Sequence, residues 1–387
     1  MKYDFDTWAS HENNGNMKGA WAREMPKGVL MLSGAEMDYG LPAFIGNALA
    51  DFAKNGLFGF TLPDKEYKKS VCSWMKLTRN REVNPDHIVA TLGTTFGLST
   101  AIRAFTEKGD GVIIQHPSYG RFDRAMVRNG RKVVSNPLIE KDGVYSLDFA
   151  DLEEKMAAPE NKMLILVNPH NPTGRVFTKR ELENISVLAN KYNVVVFSDE
   201  IFAETTQGDA VVMYSQIDPV MGISCTSLGK TFNLTGVNHA NLIIPSDTLR
   251  EKYSLQKDID HFGSIDPFFY TLLRAAYTEE GRQWVKQMNE HTLENYNLLK
   301  NAIETEMPLL GVSPLDATFV AWIDCRKLAL SDHEIEKFFV DNALIRADWG
   351  EEYGPGGSGF VRMNIGTTKD VMRTAVNNLV KAYKEKY

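Results

Sequence analysis

Between about residues 85 and 245, short apolar β-branched runs alternate with amphipathic stretches of helix length. The runs are IVAT at 88, VIIQ at 112, KVVS at 132, MLILV at 163, VVVF at 194, ISCTS at 223 and ANLII at 240. This alternation predicts a largely parallel sheet whose strands are joined by crossover helices. The runs are apolar almost throughout rather than at every second position, so both faces of the sheet are expected to be covered. Between 163 and 194, Thr178 is placed to cap a helix running to Tyr192, with Leu182, Ile185 and Leu188 on its apolar side.

Beyond residue 276 the pattern changes. Trp284, Val285, Met288, Tyr296, Leu299 and Ile303 recur at helical spacing and predict a long helix ending at Met307, before Pro308. The runs FVAWID at 319 and GFVRMNI at 359, with helices around 332–342 and 368–384, predict a smaller α+β unit. The expected fold class is therefore α/β, a large domain with a mainly parallel seven-stranded sheet flanked by helices, plus a smaller α+β domain. The expected division is an N-terminal arm and small-domain segment at 1–45, a large domain at 46–276 and a C-terminal small domain at 277–387. A chain of 387 residues is also longer than one core usually spans.

Composition narrows the partners. The net charge of −7 is spread along the chain without a basic block that could neutralise a run of phosphates, so no nucleic acid is expected. Cys72, Cys225 and Cys325 lie far apart with no CxxC pair, which points to buried, inert thiols rather than a disulfide framework or a metal knuckle. The start MKYDFDTWAS has no apolar signal-like stretch, and no run approaches the roughly 18 apolar residues that span a bilayer. A cytoplasmic protein acting on a small molecule, with no membrane partner, is expected.

Three stretches carry candidate chemistry. NPHNPTGRVF at 168–177 follows a buried strand, and turn chemistry alone explains most of its Asn, Pro and Gly, but the order N-P-x-N-P-T-G is rare. VVVFSDE at 194–200 puts Asp199 at the carboxyl end of a strand, the edge of a parallel sheet where ligands usually bind. CTSLGKTFNLTG at 225–236 puts Lys230 directly after an apolar strand among small residues, where a desolvated lysine near other cations has a lowered pKa and can act as nucleophile and base. Together these resemble the class I/II aminotransferase superfamily of fold-type I pyridoxal 5′-phosphate (PLP) enzymes.

The resemblance implies a Schiff base between PLP and Lys230. It also implies Asn171 on the cofactor's 3′-oxygen, Asp199 on its pyridinium nitrogen and Ser227 on its phosphate. An ionised Asp199 would keep the ring protonated and able to accept electrons from a substrate Cα. GTTFG at 93–97 ends a strand and opens a helix, so the N–H groups of Thr94 and Thr95 are candidates for the phosphate. Tyr119, in HPSYGRF, matches the aromatic that stacks on the ring in relatives. Arg362, in GFVRMNIG, matches the family's grip on the substrate α-carboxylate.

Two motifs are set aside. LGKT at 228–231 ends like a P-loop, but that pattern requires Gly at 224, where this chain has Ser224. GPGGSG at 354–359 fits G-x-G-x-x-G but precedes a strand instead of following one, and reads as a flexible loop.

AEMDY at 35–39, GLFGFT at 56–61, HPSYGRF at 116–122, SDEIF at 198–202 and the spacing of GSGFVRMN are similar to the C–S lyase branch, the cystathionine β-lyase group of MalY/PatB type. The resemblance covers nearly the whole chain. It implies α,β-elimination on cystathionine or cysteine, giving homocysteine or another thiol, pyruvate and ammonia. The alternatives are an aminotransferase acting on a small amino acid and, further off, a PLP-bound regulatory protein. A homodimer is implied too, with Phe60 lent to the neighbour's site. The chain departs from the branch at Phe60, usually a Tyr; at Phe202, usually Tyr or His; at Asn238, where many aminotransferases have a phosphate-binding Arg; and in NNGNMKGAW at 13–21.

Overall fold

The computed structural model describes residues 3–11 and 15–387, so Asn13 and Asn14 of the divergent N-terminal segment, and Met1 and Lys2, lie outside the described residues. All seven expected strands form one sheet. They are β1 (Ile88–Thr91), β2 (Gly111–His116), β3 (Lys132–Pro137), β4 (Asn161–Val167), β5 (Val195–Asp199), β6 (Gly222–Thr226) and β7 (Ala240–Ile243). Their order across the sheet is β1-β7-β6-β5-β4-β2-β3. β7 runs antiparallel to both β1 and β6, and the other pairs are parallel. Between β6 and β7 the one helix is the four-residue Leu228–Thr231, too short to serve as the crossover that a parallel return needs. Every residue of β1, β2, β5, β6 and β7 is buried, as expected for strands covered on both faces.

Register fixes where chemistry collects. Val167 of β4 lies opposite Asp199 of β5, which lies opposite Cys225 of β6. The carboxyl ends of the three central strands are thus level, and the segments that leave them, 168–174, 200–205 and 227–230, emerge along one edge. The helix Lys179–Tyr192 between β4 and β5 starts in a capping box, in which Thr178 accepts from the Glu181 N–H and the Glu181 side chain accepts from the Thr178 N–H.

The smaller unit is a four-stranded antiparallel sheet of β8 (Gly311–Val312), β9 (Val320–Asp324), β10 (Asp348–Trp349) and β11 (Phe360–Asn364), in the order β8-β9-β11-β10. The N-terminal arm is tied to it by Leu30–Met31, which pairs in parallel with Ile345–Arg346. The long helix spans Glu279–Glu306 with Met307 as its C-cap. Trp284, Val285 and Met288 near its start join a core with Tyr39, Trp74 and Phe232, whereas Tyr296, Leu299 and Ile303 join the core of the smaller unit. The expected boundary at 276/277 therefore falls at the head of a helix that serves both cores.

Three expectations change. GPGGSG is a closely packed turn rather than a flexible loop: a Cβ on Gly350 or Gly357 would stand 2.0 Å from the other's carbonyl oxygen, and Gly354, at φ +78°, lies against the His116 ring. Helix 332–342 is α-helical only over Asp332–Lys337 and widens into a π turn at Phe338–Asn342. Cys225 and Cys325 are buried, but Cys72 is only half-buried. Among the described residues no helix is long and apolar enough to cross a membrane.

Candidate active site

A cleft of about 800 Å³ opens at the carboxyl edge of the central strands, against the smaller sheet and the N-terminal arm. Asp199, Lys230, Asn171, Tyr119 and Arg362 all line it. Residues expected from five separate stretches of sequence therefore meet in one place.

Asp199 ends β5 and is 3% exposed. The hydrogen bond its carboxylate receives comes from the Ile201 N–H at 3.3 Å, and its neighbour Glu200 is a second buried acid. Burial pushes the carboxyl up to about 7, with the Lys230 ammonium pulling the other way. A buried carboxylate so poorly compensated has room for a further cationic partner.

Lys230 follows Ser227, the N-cap of the short helix Leu228–Thr231. Its Nζ donates to the Ala35 carbonyl at 2.7 Å and lies 5.8 Å from the centre of the Phe202 ring. Burial, with Arg362 close by, brings the ammonium down to about 8. Phe202 is buried and stacks edge-on against Phe319. The departure at this position thus sets an apolar wall beside the lysine.

Arg362, on β11, is buried among matched partners. Its Nε donates to Asp348 Oδ2 at 3.0 Å, Nη2 donates to the same oxygen, and Nη1 donates to Asn171 Oδ1 at 2.9 Å. The Tyr353 ring lies 5.1 Å from its guanidinium carbon. Asn171 is held in a loop fixed to the strand ends, where the Asn168 N–H donates to the Asp199 carbonyl and Asn168 Oδ1 accepts from Phe177 N–H. With its oxygen taken by Arg362, the Asn171 amide has its nitrogen left to donate.

An aminotransferase class I and II family model matches residues 27–379. The chain belongs to that family. Cystathionine beta-lyase PatB of Bacillus subtilis is 34% identical over 349 residues, 89% of this chain and 90% of the relative. Protein MalY of Escherichia coli is 28% identical, covering 90% of each chain. Among solved structures, cystalysin from Treponema denticola, which contains a PLP cofactor, superposes with a TM-score of 0.95 at 32% identity over 100% of both chains.

The remaining expected residues do not line the cleft. Thr94 and Thr95 open the 13-residue helix Gly93–Phe105, whose N-cap, Leu92, provides no side-chain acceptor. The first N–H groups of that helix are thus open to an anion. The Asn238 backbone lies 3.7 Å from where a Cβ on Gly93 would stand, so the departure from Arg falls beside this same helix start. Ser227 Oγ donates to the His239 carbonyl at 2.7 Å and accepts from Gly229 N–H, so it must turn to donate elsewhere. Phe60 is fully exposed and does not line the cleft, in a run with Leu57, Phe58 and Leu62 that is also exposed.

Some site residues were not singled out from sequence. Asp348 is one. Another group is Arg79, whose buried guanidinium donates to Glu200 and, at 3.1 Å, to Glu204. Ser224 Oγ and the Tyr214 N–H complete the shell of Glu200 Oε1. This ion group braces the turn that follows Asp199. Lys18 is a third, a buried ammonium on the cleft wall that donates to Asp38 at 2.8 Å and to the Glu36 carbonyl.

Proposed function

We propose that the chain is a PLP-dependent C–S β-lyase, which cleaves β-thio amino acids such as cystathionine or cysteine to a thiol, pyruvate and ammonia. The observation that carries this is the meeting, in one cleft, of a poorly compensated buried acid, a lysine brought down to about 8 and a buried arginine with a preset face. C–S lyases among the relatives support the branch.

The residues fit the cofactor group by group. Asp199 would hold the positive pyridinium nitrogen, Asn171 Nδ2 the ring oxygen, and the N–H groups at Thr94 and Thr95, with a turned Ser227 hydroxyl, the phosphate. Tyr119, which lines the cleft, would cover the ring. When bound, PLP withdraws electrons from the Cα of an attached amino acid.

The chain's own groups do the rest. Asp348 occupies the Nε–Nη2 side of Arg362 and Asn171 takes one Nη1 N–H, so the remaining N–H groups of Nη1 and Nη2 would take the substrate α-carboxylate. That grip and the Lys230 position orient Cα. Once its Nζ is free and neutral, Lys230 takes the Cα proton. In elimination the Cβ–S bond breaks, the sulfur leaves with a proton as a thiol, and one water is consumed as pyruvate and ammonia form. Phe202 keeps water from one side of the ammonium.

A homodimer belongs to the same reading, supported by the exposed run Leu57–Leu62, with Phe60 reaching the neighbour's cleft. So does a cytoplasmic setting, supported by three free cysteines. The test is product analysis of the PLP-loaded protein with cystathionine, cysteine and S-methylcysteine. Pyruvate released in step with thiol is expected. Amino transfer to a 2-oxo acid without pyruvate would replace the lyase by the aminotransferase.

A further inference from the structure

Every buried cation of the cleft has its partners: Lys18 has Asp38 and the Glu36 carbonyl, and Arg362 has Asp348 and Asn171. Two guanidinium groups on the same cleft do not. Arg121 and Arg124 sit one turn apart at the start of the helix Arg121–Arg128, both exposed and both lining the cleft. Among the described residues neither side chain makes a hydrogen bond or an ion pair. The contact Arg121 does make is with Tyr119, its guanidinium carbon lying 5.9 Å from the ring centre.

The nearby acids do not claim them. Asp123 Oδ2 is held by His116 Nε2 at 3.1 Å. Glu352 lies in the company of Asp348, Glu351, Arg346 and Arg362, and desolvation together with Asp348 raises its carboxyl. Arg121 also contributes to holding the Lys230 ammonium down, which sets its charge within electrostatic reach of the reacting end of the cleft. The helix itself is fixed, because Phe122, Ala125 and Met126 on its other side are buried in the large-domain core. A matched cation at the α-carboxylate end, Arg362, and two unmatched ones on the helix that follows Tyr119 describe a site for an amino acid carrying a second negative charge.

We infer that Arg121, with Arg124 behind it, is a specificity-determining residue that binds a carboxylate at the far end of the substrate's β-substituent. The favoured substrates are then β-thio amino acids whose sulfur carries a carboxyalkyl or aminocarboxyalkyl group, over those ending in a methyl or a proton. The inference rests on the lyase reading for its reaction, but its binding half is testable without turnover.

The experiment measures affinities of two non-eliminating amino acids for the PLP-loaded protein from the cofactor's visible absorption. L-2-Aminopimelate has a distal carboxylate, and L-2-aminoheptanoate matches its seven-carbon chain but ends in a methyl. Wild type should prefer the diacid. Arg121→Ala should cut that preference about tenfold, the worth of one charge-assisted contact, and Arg121→Lys should keep part of it. Any effect passed through Tyr119 or Lys230 falls on both ligands and cancels in the ratio. A ratio within twofold of wild type in both Arg121→Ala and the double variant Arg121→Ala/Arg124→Ala would overturn the inference. Pyruvate assays with S-(2-carboxyethyl)-L-cysteine and S-methyl-L-cysteine run in parallel. An absence of pyruvate from both sinks the lyase reading while the affinity ratio still decides the role of Arg121.

Discussion

Asp348 and Arg362 stand opposite each other on neighbouring antiparallel strands, and Nε and Nη2 of the guanidinium both donate to one carboxylate oxygen, Oδ2. The pair has two consequences. It fixes the plane of the guanidinium, and it neutralises a cation that is buried even without substrate. Asp348 is held in turn by the Gly34 N–H, at 2.9 Å to Oδ2, so the N-terminal arm takes part in aiming the arginine.

Asp348→Ala should therefore destabilise the protein by about 3 kcal/mol, the cost of leaving a buried guanidinium without its counter-ion. Asp348→Asn keeps an acceptor for Nε and should cost less. Arg362→Lys, which cannot offer two parallel N–H groups, should lower kcat/KM by at least about a hundredfold. Urea denaturation and steady-state kinetics on the three variants check this. Equal stability of Asp348→Ala and wild type would mean that Asp348 only lines the cleft.

Asp199 bears on stability with the opposite sign. Its carboxyl is raised to about 7 by burial, against an ordinary value near 4 in the unfolded chain. Between those values the folded protein without cofactor holds a proton that the unfolded chain has lost, so this group's contribution to stability falls as pH rises from 4 to 7. Above pH 7 the deficit is on the order of 4 kcal/mol. Asp199→Asn should thus melt higher than wild type at pH 8 when both are free of cofactor, and at a similar temperature at pH 4. The same variant, loaded with PLP, should lose at least about a thousandfold in kcat. Calorimetry that finds the variant less stable at pH 8 would contradict the assignment.

Lys230 sets a pH requirement for loading. At pH 7.5 an amine titrating near 8 is about one-quarter neutral, whereas one at the ordinary value is about a thousandth neutral. The rate at which the cofactor-free protein takes up PLP should rise with pH to a plateau just above 8. The sign for stability also follows: between about 8 and 10.5 the unfolded chain keeps the proton that the folded one has lost, so this lysine's contribution grows more favourable with pH in that window. Stopped-flow absorbance across pH 6–10 measures the loading rate. A rise that continues to pH 10 would show an unperturbed lysine.

The convergence of Lys230, Asp199 and Asn171 was legible because each sits in a stretch whose spacing to a strand end is local, and a parallel sheet brings its strand ends to one edge, whereas Arg362 was flagged by its motif alone, since it lies within a strand of the smaller antiparallel sheet. Asp348 was not, since its meaning depends on β10 pairing with β11 at a register that sets it opposite Arg362. Arg79 sits in the last turn of an amphipathic helix, where a basic residue ordinarily faces water and complements the helix dipole. Its partner Glu200 lies 121 residues away. GPGGSG looked flexible because glycine permits many conformations, but the fold uses those glycines for close backbone approach instead.

Phe60 is where the proposed site and the proposed dimer would meet. Its ring is fully exposed, and with Leu57 (90% exposed) and Leu62 (63%) it forms an apolar run of the kind that marks an interaction surface. If a second copy covers it and Phe60 reaches that copy's cofactor, Phe60→Ala should lower kcat/KM without creating a monomer, because the rest of the run still associates. Phe60→Tyr adds a hydroxyl that can donate to an anion, and it should tighten PLP binding by several-fold over wild type. Sedimentation, with cofactor affinity measured on the same samples, separates the two roles. A fully active monomer would show that the run serves no partner in the active site, and an unchanged cofactor affinity in Phe60→Tyr would place the ring away from the neighbour's cleft.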